Sequence, residues 1–177
     1  MSENNKVVLV TGGMGGLGET ISTKMVDAGY QLAVTYSPGN TSHAQWMDQM
    51  TSRGYKITAV ACDVADYDSC VRAVAEVQAA LGPIDVLVNN AGITRDMTFK
   101  KMDTVNWNAV MRTNLDSLFN MSKQVADGMV DRGWGRIINV SSVNGSKGAF
   151  GQTNYSPPRP ACTASPRRWR WRWPRRE

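Results

Sequence analysis

The chain has 177 residues, 42% of them hydrophobic, and a formal charge of +5, enough length for one domain with a sizeable core. Residues 157–177 hold seven Arg, no Lys and one Glu, which leaves residues 1–156 at −1, so the body of the chain suggests neither nucleic acid nor an anionic membrane as a partner. The start, "MSENNKVVLV", lacks a charged-then-apolar leader, no apolar run approaches the roughly 20 residues that span a bilayer, and Cys62, Cys70 and Cys162 are odd in number without metal-ligand spacing; a soluble cytoplasmic protein with no disulfide and no metal is expected.

From residue 6 to 141, short apolar strands alternate with amphipathic helices, the pattern of a parallel sheet covered on both faces. "KVVLV" (6–10) reads as a buried strand, followed by a helix with Leu17, Ile21, Met25 and Ala28 as its apolar stripe and Gly29 at its end. "YQLAVTY" (30–36) is the second strand, 41–53 a helix, and "YKITAVACDV" (55–64) the third strand. His43, the only histidine, is expected to be a solvated residue of that helix, since no second His or nearby Cys joins it. Asp66 is placed to cap a helix with Val71, Val74, Val77 and Leu81 on its inner face, and Gly82-Pro83 to stop it. "IDVLVNNAG" (84–92) is the fourth strand with its loop. A helical region over 103–132 carries Leu115, Leu118, Phe119, Ser122, Val125 and Met129 on one side, and "GRIINVSS" (135–142) is the fifth strand. Right-handed crossovers make this an α/β doubly wound parallel sheet, a Rossmann fold, with no internal repeat and no linker before Ser156.

"TGGMGGLG" (11–18) lies between a strand and a helix, where backbone N–H groups and a helix N-terminus can hold a pyrophosphate that side chains would obstruct. The glycines fit two spacings: Gly13, Gly15 and Gly18, or Gly12, Gly16 and Gly18. The Gly-Lys-Ser/Thr of a nucleotide-hydrolysing loop is missing. The second strand ends Tyr36-Ser37-Pro38-Gly39-Asn40, with no carboxylate to accept ribose hydroxyls or repel a 2′-phosphate, so NADP is expected over NAD, although no arginine stands there to bind the phosphate.

With "CDV" (62–64), "NNAG" (89–92), Asn114, Ser142 and Tyr155, this turn resembles the short-chain dehydrogenase/reductase family, with Ser and Tyr thirteen apart as in that family; the match runs from about residue 6 to Ser156. Within the family, "NNAGITRD", "FKKM", "NLDSLFNMSKQV", "RGWGRIINVSSVNGSKG" and "FGQTNYS" most resemble the reductases that convert acetoacetyl-CoA to (R)-3-hydroxybutyryl-CoA for polyhydroxybutyrate synthesis. Those that act on 3-oxoacyl-[acyl-carrier-protein] are the alternative.

The resemblance implies that Tyr155 donates a proton to the 3-oxo oxygen while NADPH delivers hydride. Ser142 would hold that oxygen, and Asn114 a water of a proton relay. A phenol with a pKa near 10 needs a neighbouring cation to serve as an acid–base group at neutral pH. The family pattern implies Gly12, Gly16, Leu17 and Gly18 at the pyrophosphate, Tyr36 at the end of the second strand, Asp63 and Val64 at the adenine, and Asn90 and Gly92 near the ribose, with Phe150 and Gln152 on the substrate side. It also implies an acyl-CoA substrate and assembly as a homo-oligomer, a tetramer in relatives.

The family motif is Tyr-x-x-x-Lys, and here Arg159 stands in the lysine's place between Pro158 and Pro160. A planar guanidinium does not replace a compact ammonium, and the prolines disfavour the helix that would carry it. Residues 157–177 read as a non-native basic tail. One base out of phase after Ser156, the permitted codons give T-A-K-A-G-L-H-G-F-T, which restores Lys at 159. A chain that is C-terminally incomplete and nearly inactive is then expected, 1–156 being the reductase domain. The competing reading is a dinucleotide-binding module whose Arg/Trp tail binds lipid headgroups or nucleic acid.

Overall fold

The computed structural model describes residues 5–157. Arg159, Cys162 and the rest of the tail from 158 onward lie outside the described residues. Five parallel strands form one sheet in the order β3-β2-β1-β4-β5: β1 Val7–Val10, β2 Gln31–Tyr36, β3 Ile57–Ala61, β4 Ile84–Asn89 and β5 Arg136–Asn139. The helices between them are α1 Gly16–Asp27, α2 His43–Ser52, α3 Tyr67–Leu81, α4 Thr104–Met111 and α5 Ser117–Asp131, with a short α6 at Asn144–Lys147. The doubly wound parallel sheet expected from the sequence is therefore present. The third and fifth strands are shorter than "YKITAVACDV" and "GRIINVSS".

β1 is apolar throughout because both its faces are covered. Val7 and Leu9 pack with Val74, Val77, Met121 and Val125 on the side of α3 and α5. Val8 and Val10 face the other way, toward Trp46 and Met50 of α2. This two-residue alternation divides the core into two layers, and burial of each Val or Leu contributes about 1.5–3 kcal/mol. The centre of the sheet is held in register by pairs such as Val8–Leu32 and Val8–Val86. At the β4–β5 pair, Asn89 donates from Nδ2 to Asn139 Oδ1 at 2.9 Å, two side chains meeting across paired strands.

Helix ends follow their sequence signals. The Asp66 carboxylate accepts from Ser69 N at 3.2 Å as the cap of α3, and Gly82 leaves that helix with φ +92°. Helix faces differ from expectation in three places. In α1 the buried residues are Gly18 and Ser22; Ile21 and Met25 are partly buried, while Ala28 is exposed and Leu17 is 57% exposed. The Ser22 hydroxyl donates to Gly13 O at 3.0 Å, so small residues bring the helix close to the glycine turn. In α3, Cys70 and Ala73 join Val74 and Val77 in the core and Val71 is exposed.

The region 104–131 is helical throughout, as expected, but not uniformly α. A wide, π-type turn at Arg112–Asp116 separates α4 from α5. Its extra residue rotates α5 so that Ser117, Asn120, Met121, Val125 and Met129 are buried, leaving Phe119 59% exposed and Leu115, Leu118 and Ser122 half-buried. His43 is the first residue of α2, half-buried, with its ring stacked on Tyr36 at 4.4 Å. No helix among the described residues is long and apolar enough to cross a membrane.

Candidate active site

The chain winds outward from β1 to β3 and returns through β4, so the strand order reverses between β1 and β4. The turns leaving these two strands meet at that point, where open α/β sheets bind ligands. Thr11, at the end of β1, joins them. Its hydroxyl oxygen accepts from Asn90 N and Ala91 N, each at 3.0 Å, and its O–H donates to Val88 O at 3.4 Å. The Asn90 amide returns the contact, donating to Thr11 O at 3.0 Å and Gly12 O at 3.1 Å. On the other side Gly12 N donates to Thr35 Oγ1 at 3.2 Å and Gly13 N to Thr35 O at 3.2 Å. The glycine turn is thus tied to both neighbouring strands.

Gly12 and Gly16 have φ of +61° and +53°, the left-handed region that side chains disfavour. A Cβ on Gly18 would overlap the Gly12 carbonyl oxygen and stand 2.7 Å from Asn90 Nδ2. Of the two spacings left open by the sequence, Gly12, Gly16 and Gly18 is the one these constraints follow. Gly13 has a separate reason, since a Cβ there would meet Val34 and Ser22. Gly15 is the N-cap of α1 and has no side chain to bond the first amides of the helix. Gly18 N and Glu19 N donate to Gly15 O at 3.0 and 3.4 Å, and the helix start, bare of a capping side chain, leaves room for an anion.

A cleft of about 440 Å³ opens over this turn. Of the expected cofactor residues, Gly12, Leu17, Gly18, Asp63, Val64, Asn90 and Gly92 line it. The exposure of Leu17 is explained by its place on this lining rather than in the core. Two expected residues are not part of the lining: Gly16 is exposed at the helix start, and Tyr36 has its ring against His43. Gly15, from the other spacing, also contributes, as do residues not anticipated, among them Thr35, Ser37, Cys62, Ala91, Ile93 and Thr113. Thr35 and Ser37 flank Tyr36, and strand alternation was the signal that would have favoured them over it. A more open hollow of about 540 Å³ lies apart from the turn, between Tyr67 and Phe119, with Arg112 and Asp116 on its wall.

Asn114 lies in the wide turn and is 1% exposed. Its Oδ1 accepts from Ile93 N and its Nδ2 donates to Ile93 O, both at 2.9 Å, which fixes the loop after β4 beside the cleft. Ser142 follows β5, half-buried, and its hydroxyl oxygen accepts from Asn144 N at 3.2 Å. Gln152 bridges: its Nε2 donates to Asp96 Oδ2 at 2.9 Å and its Oε1 accepts from Asn144 Nδ2 at 3.0 Å. Met97 N donates to Gly151 O at 2.8 Å, and the buried Asn154 donates to Arg95 O at 3.1 Å. The segment bearing the half-buried Tyr155 is therefore fastened to residues 95–97, and Asn114 to residue 93 of the same loop. Phe150 is not drawn in: it is 93% exposed and packs against no core. Asp96 was legible as the charge in "NNAGITRD", but its partner was not.

The residues fit a dinucleotide by these observations: a close-packed glycine turn with open space at Gly15, a helix start with no side-chain cap, and an acidic and amide-bearing rim at Asp63 and Asn90.

A sequence profile of the short chain dehydrogenases matches residues 6–164. The acetoacetyl-CoA reductase of Cupriavidus necator is 50% identical over 151 residues, covering 85% of this chain and 61% of that protein. Nodulation protein G of Azospirillum brasilense is 52% identical over 153 residues, 86% and 62% of the two chains. A 3-oxoacyl-[acyl-carrier-protein] reductase of Staphylococcus epidermidis is 36% identical over 151 residues, 85% and 62%. The chain thus spans about three fifths of the length of the curated relatives it matches. By its sequence, its sheet order and its glycine turn, the chain belongs to the short-chain dehydrogenase family.

Proposed function

We propose that the protein is an NADPH-dependent reductase of acetoacetyl-CoA, forming (R)-3-hydroxybutyryl-CoA for polyhydroxybutyrate synthesis. The observation that carries the reading is the cleft over Gly12 and Gly18, whose β2 side offers Thr35 and Ser37 and no carboxylate. An acid there would repel a 2′-phosphate; hydroxyls can donate to it. NADPH, when bound, supplies hydride to the 3-oxo carbon. The Tyr155 hydroxyl donates a proton to the oxygen, and the Ser142 hydroxyl stabilises that oxygen as charge develops. Asn114 holds the loop after β4 in place beside them. The exposed Phe150 is offered to the acyl chain or the pantetheine arm, and Gln152 acts through the Asp96–Asn144 bridge to place the Tyr155 segment. Residues 1–156 would form the reductase domain and 157–177 a segment outside it.

The preference for a CoA thioester over a carrier-protein thioester rests on the relatives, 50% identical for the Cupriavidus reductase against 36% for the Staphylococcus carrier-protein reductase. NADPH oxidation followed with acetoacetyl-CoA and with acetoacetyl-carrier protein decides between them. A kcat/KM with the carrier protein equal to or above that with CoA overturns the CoA assignment. Arg159 makes the frame-corrected sequence, with Lys at 159, the necessary comparison. Equal turnover by both chains would show that the tail does not disable the site.

A further inference from the structure

Cys62 leaves the end of β3 and Cys70 belongs to the first turns of α3, yet their sulfurs are 3.9 Å apart. Both are buried, at 3% and 0% exposure. Cys62 also lines the nucleotide cleft, beside Asp63 and Val64. The Cys70 sulfur lies 3.8 Å from Asp63 O and 3.6 Å from Val64 O, so the second cysteine touches the backbone of the stretch between the two. We propose that Cys62 and Cys70 are an oxidative modification site, closed to a disulfide by a hydroperoxide, that alters the nucleotide cleft.

The pair is chemically unequal. The thiol–thiol contact with Cys70, helped by Ser69, holds the Cys62 thiol below its ordinary value against the opposing effect of burial. Cys70 is pushed up by its contact with Cys62 and by burial. Cys62 lines the cleft and Cys70 is wholly enclosed, so Cys62 is the thiol that a peroxide entering the cleft meets and Cys70 the resolving thiol. The Cys62 thiolate attacks one peroxide oxygen, the O–O bond breaks, and the released oxygen leaves as an alcohol or as water after taking a proton. Cys62 is then a sulfenic acid. Cys70 sulfur attacks it, the S–S bond forms, and water leaves. Two thiols lose two electrons and two protons, and the peroxide takes up both.

An S–S bond of about 2.05 Å requires the sulfurs to approach by roughly 1.9 Å. Neither anchor is free to follow. Cys62 N is held by Tyr36 O at 2.8 Å, and Cys70 is in a helix whose N–H bonds to Asp66 O at 3.1 Å. The adjustment falls on residues 63–66, which carry the cleft-lining Asp63 and Val64. This consequence rests on the nucleotide reading of the cleft; the bond itself does not.

The test uses the full chain, reduced and then treated with hydrogen peroxide, with intact mass, peptide mapping and NADP+ titration. The expected result is a loss of about 2 Da, a Cys62–Cys70 peptide cross-link reversed by dithiothreitol, and NADP+ affinity at least tenfold weaker in the oxidised form. Bound NADP+ should slow the reaction. In Cys70→Ser, dimedone should trap a sulfenic acid at Cys62. The proposal is overturned if both thiols stay free in the folded chain, if either links only to Cys162, or if the bond forms and NADP+ affinity is unchanged. A Cys62–Cys70 bond in a chain that binds no NADP+ when reduced would sink the nucleotide reading and leave the cysteine site standing.

Discussion

Asn114 grips both backbone groups of Ile93, accepting from its N–H and donating to its carbonyl at 2.9 Å each. The first residue comes from the turn between two helices and the second from the loop of a strand, so one side chain joins the two walls of the cleft. Replacing it with Ala leaves a partly buried N–H and C=O without that partner, at about 1–3 kcal/mol. Urea unfolding of Asn114→Ala should show this loss as a lower midpoint with an unchanged slope. An unchanged midpoint would mean that the loop holds itself.

Two glycines in the same turn should fail differently. Gly18→Ala drives a methyl group into the Gly12 carbonyl, and the expected cost is about 1–3 kcal/mol with at least tenfold weaker NADP(H) binding. Gly16→Ala meets nothing within 4 Å and carries only the left-handed penalty, about 1–2 kcal/mol. Nucleotide titration and thermal unfolding of the pair separate steric from conformational demand. Greater loss of binding in Gly16→Ala would reverse the assignment.

Cofactor choice should respond to a single carboxylate. Ser37 lines the cleft at the end of β2, where an acid can accept from ribose hydroxyls and oppose a 2′-phosphate. Ser37→Asp is expected to lower NADPH affinity tenfold or more and to raise NADH affinity, measured by fluorescence titration. Parallel loss of both cofactors would place the 2′-position elsewhere.

The Gln152 bridge gives a pH signature. Gln152→Glu sets a second carboxylate 2.9 Å from Asp96 Oδ2 and loses the donated bond. Like charges at that distance raise the carboxyl pKa in the folded state, so the folded protein binds more protons than the unfolded chain as pH falls. The variant should be less stable than the parent at pH 7 and recover toward it below about pH 5, by a modest amount because the pair is exposed. A constant deficit across that range would show that Asp96 and residue 152 are not coupled.

Much of the architecture was legible in the sequence because parallel strands buried on both faces must be apolar at every position, as "VVLV" is, and because glycine has few reasons to recur four times in six residues. What escaped depends on contacts between distant segments. The wide turn at Arg112–Asp116 changes the phase of α5, so a stripe counted at helical spacing through Leu115, Leu118 and Phe119 points partly to solvent while Val125 and Met129 remain inside. Leu17 was counted both in the apolar stripe of α1 and at the pyrophosphate, and only the second place holds, at the cleft. Tyr36 was read as a cofactor contact, but its neighbours on the opposite strand face, Thr35 and Ser37, line the cleft. The nearness of Cys62 to Cys70 requires a strand end and a helix start to fold over one another, which spacing alone does not report.

The amide pair between β4 and β5, Asn89 buried and Asn139 half-buried, bears on how β5 finds its place. β5 has no fully buried residue, and Ile138 is 44% exposed, so apolar burial gives this strand little preference between alignments. Asn89 is 5% exposed, and a displaced β5 would leave its donor facing Ile138 or Val140 in place of Asn139 Oδ1. A slip of one residue would carry Ser142 about 3.3 Å along the sheet and turn alternate side chains to the opposite face. A polar contact thus works as a positional key, converting the alignment of a weakly buried strand into the address at which the Ser142 hydroxyl arrives.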